Sequence, residues 1–519
     1  MAGLAGRLPL TRESENARSS SIARVVVSGI RTWPVARLFV AVLIALFLVK
    51  QVINVFIFPP FSGHDEVAHF AYVQTVATEY RVPYIPILEE FQRAMGSNRN
   101  DLPGDYLPDK LFPFCRYILD WGSCTELRWA NNPPHIVTYL GGYYPYGWQY
   151  AANHPPLYYL MMAPVLKATW GASPTSQLYL MRIAAIPFGL AIVLLAYAMV
   201  RALFPGDLFL AITVPAFVAF QPQVSYEAAM VNNDITGIAF FSLILYLLVL
   251  GLKRRFPIRL TVWIGATIGV GLLFKSTMLI ALPLVALAVV LGVGIRNWRG
   301  WIGRGLLIGT LSALICWPWY LFLYRTYSNF SGLDQIAANQ YYWTYLNQAK
   351  PSILDLFWNS DFAVMRWHET WGLFGWRLIH YSDALLWAIG IPCIVATVGL
   401  LIYLGAIVVM WRPNDERTGG FAGVRTLEAW QVSAIAVTAL AAIAAYVAML
   451  QFGTRFSLTQ ARYFFPAINA FALLLMLGLR ALLPTGWRRY GQAAVVAALI
   501  VMTVVIYAQY VIPFWYLGS

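Results

Sequence analysis

Charge is scarce in this sequence. Asp, Glu, Lys and Arg make up only 11% of its 519 residues, while 60% are hydrophobic. A soluble domain carries about 25% charged residues and cannot hide so much apolar surface. A soluble multidomain chain is therefore excluded, and the repeated apolar runs point instead to one helical membrane domain. Cysteine is scarce too, with four residues, which excludes a disulfide-framed scaffold. No phosphate-binding P-loop, no dinucleotide-binding glycine fingerprint and no Gly-x-Ser-x-Gly elbow occurs, which argues against an ATP-driven pump. Ligands at zinc-motif spacing are missing as well.

What the chain has is long apolar runs. The first, at 35–58, follows a basic stretch (Arg7, Arg12, Arg18, Arg24, Arg31, Arg37). It lacks a small-residue cleavage site and exceeds a signal-peptide core, so it reads as a retained first helix after a disordered cytoplasmic tail at 1–34. Further spans are expected at 178–203, 208–223, 234–251, 260–275, 277–295, 305–323, 384–411, 430–451, 463–483 and 490–510. The expected fold is all-α, with about eleven spanning helices over 35–510 and a short external tail at 511–519. An apolar piece at 155–170 is read as an interfacial helix, because that choice leaves Lys253-Arg254-Arg255 on the cytoplasmic side. The cytoplasmic segments then carry 20 Lys/Arg against 6 Asp/Glu, and the external ones 15 against 17. The net charge of +13 is thus assigned to cytoplasmic loops rather than to nucleic-acid binding. The expected location is a plasma or inner membrane, with the N-terminus cytoplasmic.

All six histidines fall on or beside the external side, as do two long loops at about 59–177 and 324–383. Loops held by a rigid scaffold commonly carry function. The sharpest cluster is Pro59-Pro60-Phe61-Ser62-Gly63-His64-Asp65-Glu66-Val67-Ala68-His69-Phe70. Gly63 permits a turn, Asp65 can start a helix, and His69 then lies one turn further on the same face. A carboxylate at the membrane edge can take a proton or hold a metal ion; its plainer use is as a helix cap. A second cluster contains Glu227, Asn232, Asn233 and Asp234. Acidic groups at membrane depth usually face a cavity, although Asp234 could serve as a cap. Lys275, between two apolar runs, runs against the charge bias and suits a phosphate, or simply snorkels. Arg455 and Arg462-Tyr463-Phe464-Phe465-Pro466 offer two more cations, for a donor phosphate or for ordinary headgroups. Trp367-His368-Glu369-Thr370-Trp371-Gly372-Leu373-Phe374-Gly375-Trp376 supplies rings that stack on sugars or prenyl chains, or that form an interfacial belt. Cys115 and Cys124 could pair on an oxidising face.

The order of these clusters, with His154-Pro155-Pro156-Leu157-Tyr158 between the first two, resembles the GT-C superfamily of membrane glycosyltransferases. That superfamily includes protein mannosyltransferases and the aminoarabinose and arabinofuranosyl transferases. Within it, the Asp65-to-Phe70, Trp371-to-Trp376 and Arg462-to-Pro466 stretches look most like a bacterial group of predicted membrane proteins of unknown function. The resemblance covers about 35–485. It implies an inverting transferase that uses a polyprenyl-phosphate sugar on the external face, with a glycan, lipid or protein as acceptor. It makes Asp65 or Glu66 the base, with Asp65 also a candidate ligand for Mg or Mn. It places Lys275 and Arg462 near the donor phosphate, where Arg455 is a further candidate from the residues themselves. His69, His154, Glu227, Asp234, Trp371 and Trp376 would contact substrate. Asp65-Glu66 is a contiguous pair rather than a spaced Asp-x-Asp, which leaves the need for a metal open. The rivals are a lipid-linked sugar flippase and a polysaccharide polymerase or ligase. A flippase needs a polar path, whereas the expected spans hold few ionisable residues apart from Lys50.

Overall fold

A computed structural model describes residues 34–84, 137–139, 142–144, 149–334, 351–412, 421–456 and 459–517. The expected tail at 1–34, except its last residue, and the Cys115–Cys124 pairing lie outside the described residues. Among the described residues the fold is helical, apart from one short antiparallel hairpin of β1 (Val137–Tyr139) with β2 (Gly142–Tyr144). The helices are α1 (Pro34–Ile57), α2 (Glu66–Glu79), α3 (Leu157–Ala168), α4 (Pro174–Leu203), α5 (Leu208–Phe220), α6 (Pro222–Glu227), α7 (Asp234–Arg254), α8 (Ile258–Phe274), α9 (Ala281–Val293) and α10 (Trp298–Tyr327). They continue as α11 (Ile353–Trp358), α12 (Ser360–Trp371), α13 (Phe374–Arg377), α14 (Asp383–Met410), α15 (Ala429–Gly453), α16 (Ile468–Leu482) and α17 (Arg488–Ile506).

Each of the eleven expected spans is helical, but nine helical segments among the described residues are long and apolar enough to cross a membrane. The other two stop short for local reasons. α5 ends at Phe220 because Pro222 holds Gln221 in extended backbone (φ −61°, ψ 119°). α8 has 17 residues, about 25 Å at 1.5 Å each, and ends where Lys275 turns extended (φ −153°, ψ 131°). α3 has 12 residues, too few to cross a hydrocarbon core of about 30 Å.

Polar caps set the helix starts. Ser173 accepts a hydrogen bond from the Ser176 amide at 3.2 Å, Asp207 from Leu210 at 3.0 Å and Asn297 from Gly300 at 3.1 Å. α7 is the most enclosed span, 89% buried over its apolar window, and packs on α4, α8, α9 and α15. The apolar windows of α14 and of the 485–517 span are only 17% buried. Outward apolar faces of this kind are stable where lipid is the solvent. Proline lies inside α4, α5, α10 and α14 (Pro187, Pro215, Pro318, Pro392). Membrane bundles tolerate such breaks where neighbours satisfy the freed carbonyls.

Candidate active site

One end of the bundle gathers the ends of four helices. The turn between α1 and α2 brings Asp65. The start of α7 brings Asp234, and the end of α8 brings Lys275. The turn Ala461–Ala467, which leads into α16, brings Arg462. The cluster is therefore assembled from segments that are distant along the chain.

Asp65 stands at the N-cap position of α2 but makes no capping hydrogen bond, and its backbone is left-handed (φ 55°, ψ 13°). A non-glycine residue there is strained by about 1 kcal/mol or more, and such strain clusters at functional sites. The carboxylate, released from capping, instead pairs with the Arg462 guanidinium. Arg462 Nη1 also lies 3.5 Å from Asp234 Oδ2, and Lys275 Nζ lies 3.0 Å from Asp234 Oδ1. Charges thus alternate along Asp65, Arg462, Asp234 and Lys275. Arg462, Asp234 and Lys275 are buried; Asp65 is the most accessible, with its side chain 16% exposed. Arg462 Nε makes no hydrogen bond among the described residues.

Asp234 does not cap α7. Asn232 does so, accepting from the Ile235 amide at 3.1 Å, which frees Asp234 for Lys275. Gly237 makes this approach feasible, since a Cβ there would sit 2.9 Å from Lys275 Cβ. Lys275 donates to Asn233 Oδ1 at 2.8 Å, and Asn233 Nδ2 donates to the Phe274 carbonyl at 3.1 Å. His154 Nδ1 faces two donors, Lys275 Nζ at 3.4 Å and Asn233 Nδ2 at 3.2 Å. It must therefore accept, which places the proton of a neutral ring on Nε2. Burial, reinforced by Lys275, keeps His154 well below the usual imidazole range. Burial lowers His69 to about 3, and its Nδ1 lies 2.8 Å from the Tyr159 hydroxyl. Burial also pushes the Lys275 amine down, against the pull of Asp234.

The other expected site residues are placed differently. Glu66 points away from the cluster and is 0% exposed, with both oxygens bonded by Arg182 at 2.8 and 2.6 Å. The contiguous acidic pair is thus split: Asp65 stands before the helix in left-handed backbone, whereas Glu66 is the first residue of α2 and turns to Arg182. Glu227 is buried, 3.2 Å from His64 Nδ1 and accepting from Gln223 Nε2 at 3.2 Å. Arg455 is half-exposed and lies 3.5 Å from Asp334, so it stands outside the cluster. Trp371 is buried among Phe217 and Trp367, with ring centroids 6.0 and 5.5 Å away. It packs the core and offers no face to a sugar. Trp376 lies in the four-residue α13.

Three contributors were not singled out from the sequence. Arg182 sits inside an expected span, where an ionisable residue is itself a signal; Lys50 is not the sole charge in those helices. Asn233 belongs to the second sequence cluster but carries no role there; in the structure it bridges Lys275 and His154. Glu369 appeared within the aromatic motif without a role. It accepts from the Ala461 amide at 2.8 Å and pairs with Arg366 and Arg377 at 2.6 Å, which anchors the residue next to Arg462.

The cluster balances two carboxylates against two cations. No group of three or more His, Cys, Asp or Glu side chains converges as metal ligands among the described residues. The position between Asp65 and Asp234, where a cation would neutralise both, is held by the Arg462 guanidinium.

The family model for predicted membrane proteins designated DUF2142 matches residues 46–470, and the chain belongs to that family. No curated protein matches it. Among solved structures it is similar to ArnT from Cupriavidus metallidurans bound to undecaprenyl phosphate, at 14% identity and a TM-score of 0.42, over 91% of this chain and 73% of that one. For ArnT from the same organism in the apo state, identity is 17% and the TM-score 0.38, over 79% and 62% of the two chains.

Proposed function

We propose that this DUF2142 protein is a membrane glycosyltransferase of the GT-C type. It transfers a sugar from a polyprenyl-phosphate donor to a glycan, lipid or protein acceptor at the extracytoplasmic face of a plasma or inner membrane, with inversion. The observation that carries the reading is the network Asp65–Arg462–Asp234–Lys275, four alternating charges from four separate segments beside the end of α1. Burying four charges together is costly unless they are paired, and truncating one costs about 3–5 kcal/mol. A chain that maintains such a network, with one carboxylate partly open, has a use for it.

In the proposed step, the acceptor hydroxyl oxygen attacks the anomeric carbon and its proton passes to Asp65. The bond from that carbon to the phosphate oxygen breaks, and its electron pair leaves with the lipid phosphate. Arg462 and Lys275 stabilise that departing charge. The unbonded Nε of Arg462 gives a phosphate oxygen a donor without disrupting the pairing with Asp234. As the phosphate comes to share the Arg462 charge, the hold of that charge on the Asp65 carboxylate weakens and its basicity rises. His154 Nε2–H is left to hydrogen-bond substrate, since Nδ1 is occupied within the network. No step requires a metal ion.

The test is transfer of radiolabel from a panel of polyprenyl-phosphate sugars to membrane acceptors by purified protein in nanodiscs. Wild type should transfer from at least one donor, and Asp65→Asn should be slower by about 10²–10⁴, the usual worth of general-base assistance. A fully active Asp65→Asn protein would remove Asp65 from the mechanism.

A further inference from the structure

Arg182 is completely buried within α4, a membrane-length helix, and each of its donors is used. Nε and Nη2 donate to the two oxygens of Glu66 at 2.8 and 2.6 Å. Nη1 donates to the carbonyls of Val55 and Phe58 at 2.9 and 2.8 Å, and Nη2 also to that of Pro59 at 3.0 Å. These carbonyls belong to the end of α1 and the residues after it, where no further helical turn supplies donors. Glu66 is equally saturated. Besides Arg182, it accepts from the Gly63 amide at 3.2 Å and from the Val231 amide at 2.9 Å. One ion pair therefore ties together the end of α1, the turn before α2, α4 and the segment that leads into Asp234.

A proton acceptor needs an open lone pair and a path to substrate, and Glu66 has neither. We infer that Glu66 and Arg182 are positioning residues, which hold Asp65 in its left-handed conformation and fix the Val231–Asp234 approach so that both carboxylates meet Arg462. This rests on the reading of Asp65 as the base. It assigns the neighbouring carboxylate a separate task, and it brings into the site an arginine that touches none of the reacting groups. The strain at Asp65 needs such a frame, because a residue in left-handed backbone relaxes unless both sides are held.

The test compares wild type, Glu66→Gln, Arg182→Gln, the double variant and Asp65→Asn in nanodiscs. Two independent readouts are used: hydrogen exchange by mass spectrometry, and the kcat and KM of transfer. Each single variant should accelerate exchange in peptides covering 59–70 and 228–236 while the other spans stay protected. Its kcat should fall about 10–100-fold, in keeping with a displacement near 1 Å, with donor KM little changed. The double variant should be no worse than the poorer single one, since the two residues form one device. Asp65→Asn should lose turnover without changing exchange. Unaltered exchange in both single variants overturns the inference. So does a Glu66→Gln loss that Arg182→Gln does not share, which would make Glu66 the base. General loss of protection, with activity tracking the folded fraction, reduces the pair to structural support and also overturns it. If the Gln variants do not fold, Glu66→Asp and Arg182→Lys keep the charge, shift the geometry, and should show the same local exchange at smaller amplitude. If wild type transfers nothing, the transferase reading fails by itself, and the exchange experiment still decides the positioning role.

Discussion

The Arg462 guanidinium holds the Asp65 carboxylate across 397 positions of chain. This contact joins the first helix of the bundle to one of the last, and Asp234 and Lys275 extend it. Arg462→Ala should therefore affect fold and chemistry together. It leaves Asp65 and Asp234 facing each other with Lys275 alone, a loss of about 3–5 kcal/mol. Arg462→Lys keeps the charge but not the fork that serves two carboxylates. It should restore most of the melting temperature in detergent and little of the transfer rate. Equal recovery of both would confine Arg462 to stability.

Lys275→Met removes the cation nearest Asp234 and leaves two carboxylates to the single Arg462 guanidinium, whereas Asp234→Asn with Lys275→Met removes both charges. The double variant should melt above Lys275→Met alone, because an uncompensated buried charge costs more than its absence. Both should bind polyprenyl phosphate about tenfold or more weaker than wild type. Unchanged lipid binding, read by a thermal shift with undecaprenyl phosphate, would take Lys275 out of the donor subsite.

Acid should weaken the protein through His69 and His154. Burial holds His69 down to about 3 from an ordinary 6.5, and His154 moves in the same direction. The folded rings stay neutral while the unfolded chain takes up protons below 6.5. Stability present above that pH is then lost as pH falls, toward 3 for His69 and by about 1.4 kcal/mol per unit for that ring, with His154 acting in the same direction. Melting in detergent between pH 7.5 and 5 measures the slope. His69→Gln, which can still accept from Tyr159, should flatten it; an unchanged slope would exonerate His69.

Chelation tests whether the proposed step runs without a metal ion. Since Arg462 lies between the two carboxylates, transfer should survive EDTA with less than a twofold change. Loss on chelation and rescue by Mg or Mn would show that a cation displaces Arg462 during turnover.

Away from the site, α14 and α16 pack backbone to backbone. A Cβ on Gly478 would lie 1.9 Å from the Ala396 carbonyl oxygen, and one on Gly399 2.3 Å from that of Gly478. Close approach of this kind drives helix association in membranes. Gly478→Ala must push the helices apart, at about 1–3 kcal/mol. It should lower the melting temperature while transfer per folded molecule stays near wild type.

The sequence by itself determined the helical membrane architecture, because a long apolar run is a local property that no tertiary contact has to create. It also marked the segments whose charged side chains meet in the cluster, since charged groups in so apolar a chain stand out wherever they occur. Their pairing was beyond its reach. Asp65 and Glu66 are equivalent as letters, and only the placement of Arg182 in α4 and Arg462 before α16 separates them. One becomes a saturated internal brace, the other the accessible end of a charge network. The same holds for Trp371, which reads as a stacking ring and packs as core, and for Arg455, which reads as a phosphate ligand and faces Asp334. Such outcomes depend on which helix faces meet at the end of the bundle. That is set by many weak packing contacts summed over the whole chain, and no single motif contains it.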